Sequence, residues 1–167
     1  MNSAGIFGPK LSGKTTLAKA LSREYFLKCK LRTLVLDPNN DDWGKQSLVF
    51  TDEEKFWPVV WQSQNCLVIV DEAAATIRRD RDLIPVFTRL RHLHHKLIVI
   101  GHSGMDLLPV MRQQFDELFL FRQPESAAKV WAETMTQKGL LQSGELKQFE
   151  FLHTKLYGTP RKLRLQA

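Results

Sequence analysis

Short apolar runs alternate along this chain with longer segments in which apolar residues recur every three or four positions. The predicted strands, each containing an apolar run of three to five residues, lie at 4–7, 32–37, 66–70, 96–101 and 117–121. The predicted helices lie at about 15–28, 51–60, 85–95 and 124–139. Continuous apolar runs of this length are typical of parallel strands covered on both faces. The alternation of strands and helices predicts an α/β domain of three layers around a mostly parallel central sheet.

The last part of the chain has a different pattern. Apolar and polar residues alternate over 149–165, and Tyr157-Gly158-Thr159-Pro160 interrupts the alternation with residues typical of a turn. This pattern predicts a C-terminal β-hairpin. Because no repeat, low-complexity tract or linker divides the sequence, we expect residues 1–167 to form a single domain.

Composition favours a soluble globular protein. Of the 167 residues, 43% are hydrophobic and 25% are charged, which is typical of folded chains. The apolar runs are too short to span a bilayer, and no signal peptide is evident. The two cysteines, Cys29 and Cys66, lack the spacing of a metal or redox site. We therefore expect a cytoplasmic protein without a transmembrane segment of its own.

The net charge of +6 is concentrated in two segments. Residues 78–96 carry six Lys or Arg against two Asp, and residues 145–167 carry five against two Glu. Basic segments of this kind suit a polyanionic partner, although lysines that serve solubility produce the same balance. Charge alone therefore leaves the partner open.

A glycine-rich loop follows the first predicted strand. Its sequence is Gly8-Pro9-Lys10-Leu11-Ser12-Gly13-Lys14-Thr15, which fits the phosphate-binding pattern of Gly, four residues and Gly-Lys-Ser/Thr without a mismatch. The glycines let successive N–H groups point at phosphate oxygens, and Thr15 and Thr16 open a helix whose positive end faces them. Lys14 is placed to reach the β- and γ-phosphates, and the Thr15 hydroxyl to bind Mg²⁺. The sequence therefore predicts a protein that binds ATP with Mg²⁺.

Two acidic residues, Asp71 and Glu72, end the third predicted strand. Ligands collect at the carboxyl ends of the strands in open α/β sheets. Asp71 is suited to hold Mg²⁺ and Glu72 to deprotonate the attacking water. The alternative is that both acids only cap the following turn. Because they accompany an intact phosphate loop, ATP hydrolysis is the better interpretation.

Histidines and arginines lie near these motifs. His102 follows the fourth strand, where its side chain either contacts the γ-phosphate or hydrogen-bonds to the backbone. A metal site at His92, His94 and His95 is disfavoured, since residues two apart on a helix point in different directions. The arginines at 78, 79, 81, 89 and 91 are candidates to supply positive charge to the phosphoryl group, and an arginine of this kind often comes from a neighbouring subunit.

The order of these motifs resembles the FtsK/HerA superfamily of P-loop DNA-pumping ATPases. The matching segments after the loop are Val35–Pro38, Val68–Ala73, Arg89–His92, Leu97–His102 and Phe119–Arg122, so that the resemblance covers about residues 4–122. The small viral members of the superfamily include the genome-packaging ATPases of icosahedral double-stranded DNA viruses with internal membranes. Another branch is the ATPase part of filamentous-phage assembly proteins.

The resemblance implies a P-loop NTPase of the ASCE type that hydrolyses ATP to translocate or package DNA. It implies sequence-independent binding of double-stranded DNA, a homo-oligomeric ring, a viral capsid or membrane-protein partner, and a location in the host cytoplasm or the virion. The larger relatives often carry an amino-terminal domain or a membrane anchor, and without them we expect the compact viral packaging type.

The resemblance also assigns residues. It gives nucleotide and catalytic roles to Lys14, Thr15, Asp71 and Glu72. It matches Arg91, or Arg89, to an arginine that acts across a subunit interface. We expect Arg91 to lie near the carboxyl edge of a neighbouring strand or close to the subunit rim. At the position of His102 the family usually has glutamine.

Two other classes of function compete with a DNA motor. In a small-molecule or nucleotide kinase, the segment from Arg78 to Arg81 would cover the acceptor; the adjacent Asp71 and Glu72 favour activation of water instead. A nucleotide-gated adaptor would bind ATP without turnover, and the intact Glu72 disfavours this. A filamentous-phage assembly ATPase is the alternative within the family.

Overall fold

The computed structural model of the protein describes residues 3–72 and 84–166. Its strands are β1 Ser3–Phe7, β2 Thr33–Leu36, β3 Ser47–Phe50, β4 Leu67–Val70, β5 Lys96–Gly101, β6 Glu117–Phe121, β7 Glu150–Lys155 and β8 Arg161–Arg164. Its α-helices are α1 Lys14–Cys29, α2 Glu53–Gln62, α3 Ile84–His92, α4 Pro109–Arg112 and α5 Glu125–Thr134, and two 3-10 helices lie at Gly104–Asp106 and Lys138–Glu145.

Within the described residues, eight strands form one sheet in the order β3-β2-β4-β5-β1-β6-β7-β8. From β3 to β6 in this order every neighbouring pair is parallel, whereas the β6–β7 and β7–β8 pairs are antiparallel. Strand β5 separates β1 from β4. The glycine-rich loop after β1 and the acidic pair after β4 therefore leave the same edge of the sheet, one strand apart.

Helices cover both faces of the central strands, as the continuous apolar runs predict. On one face, Leu17 and Ala18 of α1 pack on Ile6, Ile69 and other strand residues. On the opposite face, a second cluster joins α2, α3 and α5 to the sheet. It includes Phe56, Val60, Phe87, Leu90 and Trp131. The three-layer α/β prediction is confirmed.

The C-terminal hairpin is also confirmed. Strand β7 pairs with β6 from Phe121↔Phe151 to Glu117↔Lys155, and β8 then pairs with β7. The hairpin extends the sheet, and its last residues turn back toward the glycine-rich loop. None of the helices in the described ranges has the length and apolar character that crossing a bilayer requires.

Candidate nucleotide-binding site

The glycine-rich loop needs glycine at both of its ends. At Gly13 the backbone has φ +102°, a left-handed conformation that strains a residue with a side chain. At Gly8, a Cβ atom would lie 2.5 Å from Cβ of Phe121. The Gly8 N–H donates to the Gly101 carbonyl at the end of β5 (3.2 Å), which anchors the loop to the sheet. Helix α1 then begins at Lys14 with no side chain capping its first N–H groups, the arrangement that binds phosphate.

Lys14 lies inside the curve of this loop. Its Nζ donates a hydrogen bond to the Pro9 carbonyl (2.8 Å). Burial lowers the pKa of the Lys14 ammonium group; the charges of Asp71 and Glu72 act in the opposite direction, and that of Lys10 adds to the lowering. The lysine is thus held close to both acids, at the position where an anionic ligand would be bound.

Asp71 and Thr15 are directly connected. The Thr15 hydroxyl donates to Asp71 Oδ2 (3.0 Å), although the two residues belong to different elements. Asp71 is 6% exposed. Burial raises the pKa of its carboxyl, hydrogen bonds from the Glu72 N–H and Thr15 partly oppose this, and the charges of Asp37 and Glu72 raise it further. A cation at this point would relieve the unfavourable burial of the carboxylate.

Thr15 and Asp71 are suited to bind Mg²⁺. A carboxylate and a hydroxyl are the hard oxygen ligands that Mg²⁺ takes, and Mg²⁺ is usually held by one or two carboxylates together with substrate phosphates rather than by a full protein cage. In agreement, no cluster of three His, Cys, Asp or Glu side chains in the described part of the chain is arranged to hold a metal by itself.

Glu72 has an unusual backbone conformation. Its φ is +53°, in the left-handed region, and its N–H donates to Asp71 Oδ1 (2.8 Å). Such a conformation costs about 1–3 kcal/mol in a residue other than glycine. It turns the chain sharply after β4, so that the two consecutive acids both line the cleft beside the loop.

One cleft, with a volume of about 290 Å³, brings the predicted residues together. It is lined by Lys10, Leu11, Lys14, Thr15, Asn39, Asp71, Glu72, Gly101 and His102. His102 lines the cleft, and its backbone carbonyl accepts a hydrogen bond from the buried Gln123 Nε2 (3.0 Å). The phosphate loop, the acidic pair and His102 therefore form one site.

Asn39, which lines the cleft, and Asp37, which supports it, were not predicted from the sequence as site residues. Asp37, at the end of β2, is 1% exposed and accepts hydrogen bonds from two backbone N–H groups and from Trp43 Nε1. The Asp37 carboxylate is therefore engaged with three donors of its own loop. The Asp37-Pro38 pair after an apolar run was the signal available in the sequence.

A second cleft, of about 740 Å³, lies on the other side of the loop. It is lined by Thr16, Phe149, Arg164, Leu165 and Gln166. Phe149 and Leu165 pack so closely on the loop that a Cβ atom on Gly13 would lie 3.2 Å and 2.5 Å from their side chains. The sequence predicts the hairpin but not this contact, because no local pattern reports packing between residues so distant in the chain.

Comparisons with known proteins fit this geometry. The DNA-packaging ATPase B204 from Sulfolobus turreted icosahedral virus superposes with a TM-score of 0.81 at 20% identity, and the match covers all of both chains. The genome-packaging NTPase B204 of Sulfolobus turreted icosahedral virus 2, in complex with AMPPCP, gives a TM-score of 0.83 at 19% identity, with 99% and 98% of the two chains covered. The fold is that of a P-loop NTPase.

A more distant neighbour shares this fold. The cytoplasmic domain of the Type VII secretion ATPase EccC from Thermomonospora curvata gives a TM-score of 0.71 at 10% identity, and the match covers 98% of this chain and 23% of that one. No protein-family model matches the sequence, and no curated protein matches it. The likeness to the P-loop NTPases is therefore a likeness of fold.

Arg91 lies at the opposite edge of this P-loop fold. It lines a small pocket with Ser3, His95 and Leu97, at the edge where β1 and β5 begin. Of the two expected positions, the carboxyl edge is not the one found, because α3 runs back across the sheet before β5 starts; a position close to a subunit rim stays a prediction. The Arg91 side chain is exposed.

The other arginines and the histidines have different surroundings. The Arg89 guanidinium lies 4.5 Å from the centre of the Trp61 ring, in a cation–π contact with α2. The arginines at 78, 79 and 81 lie outside the described residues. His95 is buried; its Nδ1 accepts from the Cys66 N–H (3.0 Å) and its Nε2 donates to the Val60 carbonyl (3.1 Å). His95 thus joins α2 to β4 and is not a metal ligand.

Proposed function

We propose that the protein is an ATP-hydrolysing motor that moves double-stranded DNA, and that it serves viral genome packaging. One observation carries the ATPase part of this proposal. The cleft beside the phosphate loop brings the Lys14 ammonium, the Thr15 hydroxyl and the Asp71 and Glu72 carboxylates together at the carboxyl edge of the sheet.

Each residue has a step in hydrolysis. The loop N–H groups and Lys14 bind the phosphates. Thr15 and Asp71 would hold Mg²⁺, which would supply positive charge to the phosphate oxygens. Glu72 accepts a proton from the attacking water. The water oxygen bonds to the γ-phosphorus, the bond from that phosphorus to the bridging oxygen breaks, and ADP and phosphate leave.

The second cleft is suited to the nucleobase. It adjoins the first turn of α1 at Thr16, where the phosphates of a bound nucleotide would end, and it offers an aromatic ring and an aliphatic side chain as walls. Flat rings stack well on such a surface. We assign Phe149 and Leu165 as the base-contacting residues, so that the end of the hairpin completes the nucleotide site.

The basic hairpin supports a polyanionic partner. Lys155, Arg161 and Arg164 are exposed and form no ion pair with any described residue, whereas Lys162 is paired with Glu150 at 2.8 Å. Cations of this kind bind phosphates without reading bases, as a protein that moves along any sequence requires. The fold shared with two packaging ATPases supports DNA as that polyanion.

The placement of Arg91 supports an assembly of several copies. An arginine at the edge opposite to the cleft serves a nucleotide only if a neighbouring copy presents its own cleft there. A homo-oligomeric ring around DNA meets this requirement, and a capsid or membrane protein is the partner that such a ring would dock on.

Nucleotide binding by a Lys14→Ala variant tests the ATPase proposal. Loss of a charge-assisted contact worth about 1.5–3 kcal/mol should weaken ATP binding by roughly tenfold or more. Lys28→Ala is the matched control, because Lys28 lies on the same helix, is exposed, and among the described residues forms an ion pair only with Glu24. Equal ATP affinity in Lys14→Ala and Lys28→Ala would show that the loop is not the nucleotide site.

Titration with duplex DNA tests the motor proposal. Binding should weaken steeply as salt rises and should not distinguish duplexes of different sequence. Reversing charge at Lys155 and Arg161, which do not line the nucleobase cleft, should lower the affinity and the steepness of its salt dependence. A sequence-selective or salt-insensitive complex, or no complex at all, would contradict the proposal.

A further inference from the structure

The loop formed by residues 38–43 is fixed to β2 by one buried carboxylate. Asp37 Oδ1 accepts from the Asn39 N–H (2.9 Å), and Oδ2 accepts from the Asp41 N–H and from Trp43 Nε1 (2.9 Å each). Hydrogen bonds to a carboxylate are stronger than those between neutral groups. Three of them hold the start, middle and end of the loop in one conformation.

The same loop is also fixed to α1. Lys19 Nζ lies 3.0 Å from Asp41 Oδ2 and 5.4 Å from the centre of the Trp43 ring. Lys19 is one helical turn beyond Thr15, whose hydroxyl we assign to Mg²⁺. The loop is therefore held beside the metal-binding turn of the helix, on the far side of Asp71 from β5.

Asn39 is the loop residue that faces the cleft. It lines the cleft together with Thr15 and Asp71. Its side chain is exposed, and its carboxamide forms no hydrogen bond with the described residues; only its backbone N–H is used. A well-ordered loop thus presents an uncommitted amide to the proposed metal site.

The chemistry of Mg²⁺ gives this amide a role. Thr15 and Asp71 supply few ligands, and Mg²⁺ keeps several waters when the protein supplies few. Those waters need hydrogen-bond acceptors, since the groups around the ligands of a metal orient these ligands and contribute to metal affinity. Glu72 is one acceptor on the side of the attacking water.

We propose that Asn39 is an outer-shell residue of the metal site, whose carboxamide oxygen accepts a hydrogen bond from a water that Mg²⁺ holds. Asp37 is then a positioning residue that acts through Asn39. The proposal rests on the proposed function, because it requires that the cleft binds a metal–nucleotide complex.

Metal affinity tests the proposal without relying on turnover. Mn²⁺ is titrated into the protein bound to AMPPCP, and free Mn²⁺ is measured by electron paramagnetic resonance. Asn39→Ala should weaken Mn²⁺ binding about tenfold, as expected for loss of an outer-shell partner. Asn39→Asp keeps an acceptor and adds negative charge, so it should bind Mn²⁺ at least as tightly as the wild type.

The control is Asn40→Gly, in the same turn. Asn40 has φ +55°, which glycine adopts without strain, and it does not line the cleft. Its Mn²⁺ affinity should equal that of the wild type. Equal Mn²⁺ affinities in Asn39→Ala and the wild type would overturn the inference and leave the ATPase proposal intact. Equal weakening of Mn²⁺ binding in Asn39→Ala and Asn39→Asp would do the same, because it would indicate a structural role for Asn39. Failure of the wild type to bind AMPPCP would overturn both.

Discussion

Replacement of Phe149 by alanine tests the nucleobase cleft. Phe149 is 41% exposed, and its ring packs beside Gly13 at the end of the phosphate loop. Its φ of +65° is as unfavourable for alanine as for phenylalanine, so the substitution changes the ring and not the backbone requirement. Removing an aromatic ring from a stacked base costs about 1–3 kcal/mol. ATP should therefore bind roughly 5- to 150-fold more weakly.

Calorimetric titrations with two ligands isolate this effect. ATP contains both a triphosphate and a nucleobase, whereas inorganic tripolyphosphate contains the phosphates without the base. Phe149→Ala should lose affinity for ATP and retain it for tripolyphosphate, and Phe149→Tyr should restore ATP binding. Leu163→Ala is the control, because Leu163 is 44% exposed on the same hairpin and does not line the cleft. Equal losses for both ligands would refute the reasoning, since Phe149 would then act by supporting the loop.

Three further predictions concern the loop, the acid and the arginine. Gly13→Ala should lower both the melting temperature and ATP affinity, since its Cβ would lie 2.5 Å from Leu165 Cδ1 and its φ would cost about 1 kcal/mol or more; an unchanged calorimetric transition would argue against this geometry. Because burial raises the folded pKa of Asp71, its ionisation opposes folding. Asp71→Asn should therefore stabilise the ligand-free protein at pH 7, and melting curves should show the gain shrinking as the pH falls below the raised folded pKa and absent below about 3.9, where the acid is protonated in both states. Arg91→Ala should bind ATP but hydrolyse it about 10³-fold more slowly; mixing it with Glu72→Gln subunits should restore partial activity, and mixtures as inactive as either parent would leave Arg91 without a role in trans.

Strands and phosphate loop were predictable because their signals are local. A continuous apolar run such as Leu67–Val70 specifies a strand buried on both faces, and all its residues are fully buried. Glycine at 8 and 13 is required by close approach and by positive φ, which is why the motif retains it. The meeting of Lys14 with Asp71 follows once both loops leave the same edge of a parallel sheet.

The missed features depend on contacts between distant parts of the chain. Phe149 and Leu165 acquire a place in the site only when the hairpin folds back onto Gly13. Asn39 comes to line the cleft because Asp37, which follows β2, and Lys19, which lies on α1, hold its loop in place. Arg91 lies at the edge opposite to the cleft for a simpler reason. The direction in which α3 crosses the sheet follows from β5 being parallel to β4. A helix between two parallel strands must end where the second strand begins.

The most direct test of the account compares ATP hydrolysis and ATP binding in the wild type and in Glu72→Gln. Glutamine keeps the shape and the left-handed backbone requirement of this residue but cannot accept the proton from water. Both proteins should bind Mg²⁺–ATP with similar affinity, and in single-turnover measurements with DNA present the variant should hydrolyse it about a hundredfold or more slowly. Hydrolysis by Glu72→Gln at the wild-type rate would contradict the account, because the base would then lie elsewhere.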